Sequence, residues 1–194
     1  TDDDAMRQLL DSIYDQYAGI NAVVHGAGVI EDKLLVDKTS DSWSRVVETK
    51  VLGLLLLQKY LHPESLRFFT VLSSVAGRYG NSGQSDYATA NELMNRLCCQ
   101  LSNNWGNKVR VKAFCWGPWG RLTFGHGMVT EETEAKFARR SIFLVSPETG
   151  SRHFKDELTH EGCHNIEIIC GEGPWEQIEA DIGRIENISD WKDK

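Results

Sequence analysis

The amino-acid sequence predicts a doubly wound α/β fold built on a parallel sheet, and three observations predict it. Short apolar runs at residues 20–25, 67–74, 109–116 and 165–171 read as four strands. Between them lie segments long enough to carry a crossover helix from one strand to a parallel neighbour. The strand runs are continuously apolar rather than alternating, so both faces of the sheet are expected to be covered.

Each element has its own signal. Met6, Leu9, Leu10, Ile13, Tyr14 and Tyr17 recur at helical spacing behind Thr1 and Asp2, either of which can cap. The first strand, 20–25, is broken by Gly26-Ala27-Gly28. Thr39 or Ser40 then caps a long helix carrying Trp43, Val46, Val47, Val51, Leu54 and Leu55. After the strand at 67–74, a glycine-bearing loop leads into a helix with Tyr87, Leu93, Met94 and Leu97. The strand at 109–116 is closed by Gly117-Pro118. Ser146 as cap with Pro147 at the first helical position opens the next helix. The run at 165–171 is the last strand.

The composition sets limits on function. A formal net charge of -7 argues against a nucleic-acid partner, whose phosphates demand clustered Lys and Arg. The apolar run at 51–61 is too short to span a bilayer, and the acidic amino terminus resembles no targeting peptide. No membrane partner and a cytoplasmic location are expected. The cysteines at 98, 99, 115, 163 and 170 include no C-x-x-C pair and read as reduced thiols. The stretch HEGCH at 160–164 fits a zinc-protease pattern. Gly162 interrupts the helix that would align its two histidines, so no metal site is expected.

The stretch LSSVAGRYGNSGQSDYATAN, residues 72–91, carries the chemistry. It sets Ser74 at a strand's carboxyl end, where open α/β sheets bind ligands, and Tyr87 thirteen residues later in a helix. Reducing a ketone with hydride requires a proton donor, a second donor on the carbonyl oxygen, and a cation that favours the phenolate. A free phenol titrates near 10, so bringing it to about 7 needs roughly 4 kcal/mol of differential stabilisation, usually from a lysine. One turn beyond Tyr87 the chain has Asn91. The candidate cation is Lys50, on the stripe of Val46, Val47 and Val51 in the preceding helix.

With VVHGAGVIEDKLL (23–35), ETKVLG (48–53), the 72–91 stretch and FCWGPWG (114–120), the chain resembles the ketoreductase domains of type I polyketide synthases and related fatty acid synthases. These are short-chain dehydrogenase relatives, with a Rossmann-like parallel sheet, in which lysine and asparagine have exchanged places. The resemblance implies catalytic roles for Lys50, Ser74, Tyr87 and Asn91. For the cofactor, NADPH, it implies His25, Gly26, Ala27, Gly28, Ser73, Tyr87, Lys50, Trp116, Gly117, Pro118 and Trp119. For the substrate it implies Glu31, Asp32, Gln84 and Met128. Met128 falls in a segment, 125–146, that reads equally as a lid or as ordinary surface helix.

The resemblance further implies a β-ketoacyl thioester carried on an acyl carrier protein. Ile30-Glu31-Asp32 stands where an L-D-D marker denotes B-type stereochemistry. A glycine-rich NADPH loop is absent before residue 20, so residues 1–174 are expected to be the C-terminal, catalytic half of such a domain, with about four strands. Residues 175–194 are then a helical tail. The first strand would present a bare apolar edge, the upstream half and other synthase domains would be partners, and the isolated fragment would be inactive. The alternatives are a structural ketoreductase-like scaffold, or a free-standing short-chain dehydrogenase acting on a small alcohol or ketone.

Overall fold

The computed structural model describes residues 2–120, 129–160 and 164–183. Four strands form one parallel sheet in the order β1 (Ala22–His25), β2 (Phe68–Ser74), β3 (Arg110–Trp116) and β4 (Glu167–Cys170). The helices are α1 (Asp3–Gln16), α2 (Ser40–Tyr60), α3 (Val75–Tyr79), α4 (Ser85–Trp105), α5 (Glu131–Arg139), α6 (Pro147–Thr159) and α7 (Trp175–Gly183). The expected α/β fold is present. Apolar spacing does not announce α3, a single turn in the loop after β2.

Capping chemistry defines the helix starts. Asp2 accepts the Ala5 N–H at 2.9 Å and opens α1, while Thr39 accepts the Ser42 N–H at 3.2 Å and opens α2. Tyr60 Oη and Lys59 Nζ, at the end of α2, both bond Asp3, which ties the two helices together.

The pleat sorts the sheet into two faces. Phe69 and Val71 of β2 stand in register with Val111 and Ala113 of β3, and all four join Leu54 of α2 with Met94, Cys98 and Leu101 of α4 in one core. Burying each large side chain here contributes about 1.5–3 kcal/mol. The opposite face of β3 presents Phe114, whose ring centre lies 4.8 Å from that of Phe154 in α6. It also presents Lys112, which lies within 3.3 Å of the Glu157 carboxylate and donates to the Asn165 carbonyl at 2.7 Å. Helices therefore cover both faces of β3. Because strand order is monotonic, α6 on the second face gives the β3–β4 connection the hand opposite to the two before it.

β1 and β4 are the edge strands of the described sheet, and Val24 of β1 is 54% exposed. Cys98, Cys115 and Cys170 are free, buried thiols; burial pushes the Cys115 thiol up to about 12, so it stays protonated. No described helix is long and apolar enough to cross a membrane.

The chain clusters into two compact units, Thr1–Trp116 with Glu148–Cys170, and Gly117–Pro147 with Gly171–Lys194. Within the second, Trp119 pairs with Val145 in a parallel bridge, the Val145 N–H donates to the Pro118 carbonyl at 2.8 Å, and Thr130 caps α5. The Trp175 indole N–H donates to the Gly171 carbonyl at 3.0 Å.

Candidate active site

The carboxyl end of β2 and the helices beside it assemble the sequence-predicted quartet inside the first unit. Ser74 is the last residue of β2 and also caps α3: its Oγ accepts the Ala76 N–H at 3.1 Å. That bond occupies oxygen lone-pair density and leaves the hydroxyl proton available to donate. Tyr87 lies in the first turn of α4 and Asn91 one turn further, fully buried. Asn91 Nδ2 donates to the Tyr87 carbonyl at 2.7 Å, and its Oδ1 has no hydrogen-bond partner among the described residues.

Lys50 reaches the site from α2. It is only 4% exposed, and its Nζ lies 5.2 Å from the centre of the Tyr87 ring and 3.5 Å from the Leu72 carbonyl. Burial lowers the Lys50 ammonium to about 8. His25, at the end of β1, holds this stretch of α2 through a 2.7 Å bond between its Nε2 and the Lys50 carbonyl. A carbonyl only accepts, so Nε2 is the protonated nitrogen. Desolvation, the largest cause, keeps this imidazole below its usual value and hence neutral.

The Tyr87 phenol sits above the ordinary tyrosine value. Burial raises it most, hydrogen bonding to Ser74 and to Asn91 pulls it back, and the Asp32 carboxylate raises it further. Burial therefore sets the direction, and Lys50 is not among the groups that lower this phenol. The physical reason is placement: the ammonium lies over the ring face, and a desolvated phenolate is costly.

Close packing sets the quartet's spacing. A Cβ at Gly77 in α3 would stand 3.0 Å from the Asn91 Cβ and 3.0 Å from the Glu92 backbone nitrogen, so only glycine lets α3 lie this near α4. Gly77→Ala is expected to destabilise the fold by about 1–3 kcal/mol, because the obstructing atoms are α4 backbone and a Cβ fixed to it. Urea unfolding monitored by circular dichroism checks this; an unchanged midpoint would show that α3 yields freely.

The remaining predicted residues fall into groups. Gly26, Ala27 and Gly28 follow β1, and a Cβ at Gly28 would meet Lys50 Cε at 3.0 Å. Ser73 Oγ donates to the Asn91 carbonyl at 3.4 Å, leaving its hydroxyl engaged with α4. Glu31 is bound by Arg45 through two bonds of 2.7 and 2.8 Å, and these hold its carboxyl at about 2. Asp32 Oδ2 accepts from Gln84 Nε2 at 2.9 Å, so two predicted substrate residues contact each other. Trp116 ends β3, stacked on Phe114 with ring centres 5.6 Å apart, while Gly117, Pro118 and Trp119 belong to the second unit. Met128 and residues 161–163 of HEGCH lie outside the described residues.

Sequence reasoning missed Lys38 and Asp86. Lys38 Nζ lies 2.6 Å from Asp86 Oδ2, with side chains 2% and 1% exposed. The position of Asp86, one residue before Tyr87, is the only signal that pointed there.

A KR-domain family model matches residues 1–121. The chain belongs to the KR-domain family. It is 37% identical over 132 residues to a component of the polyunsaturated fatty acid synthase of a Thraustochytrium species, covering 68% of this chain and 4% of that protein. A ketoreductase from the first module of phoslactomycin biosynthesis in a Streptomyces species superposes with a TM-score of 0.78 at 26% identity, over 91% of this chain and 39% of that one. A Burkholderia cenocepacia short-chain dehydrogenase in complex with NADP gives 0.73 at 17% identity, over 89% and 72%, a likeness of fold alone. The KR domain thus has a Rossmann-like fold of the short-chain dehydrogenase kind, and is of the polyketide-synthase ketoreductase type that the sequence motifs resemble. It spans a small part of the curated synthase it matches.

Proposed function

We propose that this KR domain reduces a β-ketoacyl thioester, tethered to an acyl carrier protein, to the β-hydroxyacyl thioester using NADPH. The observation that carries the reading is the convergence of Lys50, Tyr87, Ser74 and Asn91 at the carboxyl end of the sheet. The residues present suit the nicotinamide-ribose part of the cofactor. Gly26, Ala27 and Gly28 bring unencumbered backbone to the end of β1, and the Lys50 ammonium has hydrogens beyond its one long contact to Leu72. His25, Ser73 and Trp116 would complete that side, and an upstream glycine-rich segment would take the adenosine half. NADPH, when bound, supplies hydride to the β-carbon.

The chain's own residues manage the oxygen and the proton. Ser74 donates its hydroxyl hydrogen to the carbonyl oxygen and orients it. Tyr87 gives its phenolic proton to that oxygen as negative charge develops. A phenol held above its ordinary value is fully protonated at neutral pH, the form the reduction needs. Lys50, still mostly ammonium at pH 7, stabilises the phenolate left behind. Asn91 fixes the Tyr87 turn through its bond to the Tyr87 carbonyl, and its unpartnered Oδ1 would accept from a water that, with the Lys50 ammonium, returns the proton to the phenolate. Glu31, Asp32 and Gln84 would border the acyl chain, and the Ile30-Glu31-Asp32 marker favours the B-type hydroxyl configuration.

The test is NADPH oxidation by a polypeptide joining this chain to its upstream segment. A carrier-bound β-ketoacyl thioester is compared with a small free ketone, and the hydroxyl configuration is assigned by chiral chromatography. Faster turnover of the carrier-bound substrate is expected. Preference for the small ketone would indicate a free-standing dehydrogenase, and no oxidation of NADPH by a folded protein would indicate a scaffold.

A further inference from the structure

A second buried polar cluster lies beside the quartet. Tyr87 is the third residue of α4, so its backbone N–H is one of the first-turn donors left without a partner inside the helix. Gln84 precedes α4 without a side-chain cap bond, and Asp86 acts instead: its Oδ1 accepts the Tyr87 N–H at 2.8 Å. A carboxylate in a first turn also complements the helix dipole. The other oxygen, Oδ2, receives Lys38 Nζ at 2.6 Å, and the same ammonium donates to the Glu31 carbonyl at 2.8 Å.

Lys38 thus joins two places the reduction depends on, the loop at 31–33 and the turn that aims Tyr87. Two more bonds run alongside. The Lys33 N–H donates to the Gly83 carbonyl at 2.9 Å, and Gln84 Nε2 donates to Asp32 at 2.9 Å. Both Lys38 and Asp86 are withdrawn from solvent, so neither reads as a solubilising surface charge. Buried pairs are often no better for stability than apolar replacements, which leaves specificity of position as a reason for one here.

We propose that Lys38 and Asp86 are positioning residues for Tyr87, a buried clasp that locks the start of α4 to the 31–33 loop so that the proton donor and the acyl-facing loop keep one relative geometry. This rests on the reductase reading above. The clasp touches no reacting atom; it acts through the Tyr87 backbone and the Glu31 carbonyl.

The experiment uses the chain joined to its upstream segment and the double substitution Lys38→Met with Asp86→Asn. It removes both buried charges while retaining a side-chain oxygen for the Tyr87 N–H. With the fold intact by circular dichroism, turnover is expected to fall about 10²-fold, as misplacement of a reacting group by an ångström does. NADPH affinity is expected to be unchanged, and the ratio of the two hydroxyl configurations should move toward equality, a readout that a loss of stability alone does not move. Native turnover and an unaltered ratio in the folded double variant would overturn the clasp. Should that variant fail to fold, Asp86→Asn alone carries the same comparison.

Amide hydrogen exchange separates the clasp from the reductase reading. In the double variant, exchange is expected to quicken together in residues 31–38 and 85–91 and not in β2 or β3. If the native protein lacks reductase activity but this paired quickening occurs, the activity assignment fails and the clasp stands. If neither segment quickens, or only one does, the clasp is wrong whatever the activity.

Discussion

Tyr87→Phe, in a polypeptide carrying the upstream segment, is expected to lower turnover by about 10²–10⁴-fold, the range supplied by one positioned general acid. The substitution is narrow. Phenylalanine keeps the ring that lies 5.2 Å beneath Lys50 Nζ, and it keeps the backbone groups bonded to Asp86 and Asn91. Only the hydroxyl goes, and with it the proton delivered to the carbonyl oxygen and the partner of Ser74. Folding should therefore survive while the rate collapses. The check is single-turnover reduction of a carrier-bound β-ketoacyl thioester, with thermal unfolding of both proteins alongside. Equal rates in the two would remove Tyr87 as the acid.

Lys50→Met is expected to abolish most turnover and yet stabilise the fold. Burial lowers the Lys50 pKa from 10.5 to about 8, so the folded state disfavours the ammonium relative to the unfolded chain. The sign follows from linkage. Below about pH 8 the folded chain carries the full penalty of a desolvated charge. Between 8 and 10.5 the unfolded chain binds more protons, so stability rises with pH; above that the penalty is gone. A shift of that size corresponds to about 3 kcal/mol. Methionine removes it but also loses the contact with the Tyr87 ring, worth roughly 1–2 kcal/mol when desolvated. A net gain of about 1–2 kcal/mol at pH 7, vanishing toward pH 11, is the expected result of urea unfolding.

For the native protein the same titration sets an activity limit: turnover should decline as pH rises through about 8, where Lys50 loses the charge that stabilises the phenolate. A Lys50→Met protein that is less stable than native at pH 7 would show that its contacts outweigh desolvation. Retained turnover would place the cation elsewhere. Loss of function with gain of stability is the pattern of a site held against its own folding preference.

The strands, the long helices and the quartet were legible in the sequence because each depends on local pattern. Continuous apolar runs become parallel strands, of which β2 and β3 are the most buried, Thr39 and Asp2 cap the helices behind them, and Ser74, Tyr87 and Asn91 lie close enough in sequence for one strand-loop-helix unit to align them. Lys50 was legible as well, through its place on an apolar helical stripe.

What only the tertiary structure decided involves partners distant in sequence or shifts produced by burial. Apolar periodicity is blind to α3, a turn set by Ser74 capping and by the absence of a side chain at Gly77. Lys38 and Asp86 stand 48 residues apart, and each alone reads as a surface charge. Glu31 reads as a substrate residue, yet Arg45 of α2 binds its carboxylate. The Tyr87 phenol needs acidifying for the chemistry, yet desolvation raises it. The physical reason is common to all four. Sequence spacing fixes which residues can share a helix or a strand end, whereas long-range pairing and the cost of burying charge are set only when separate elements close over one another.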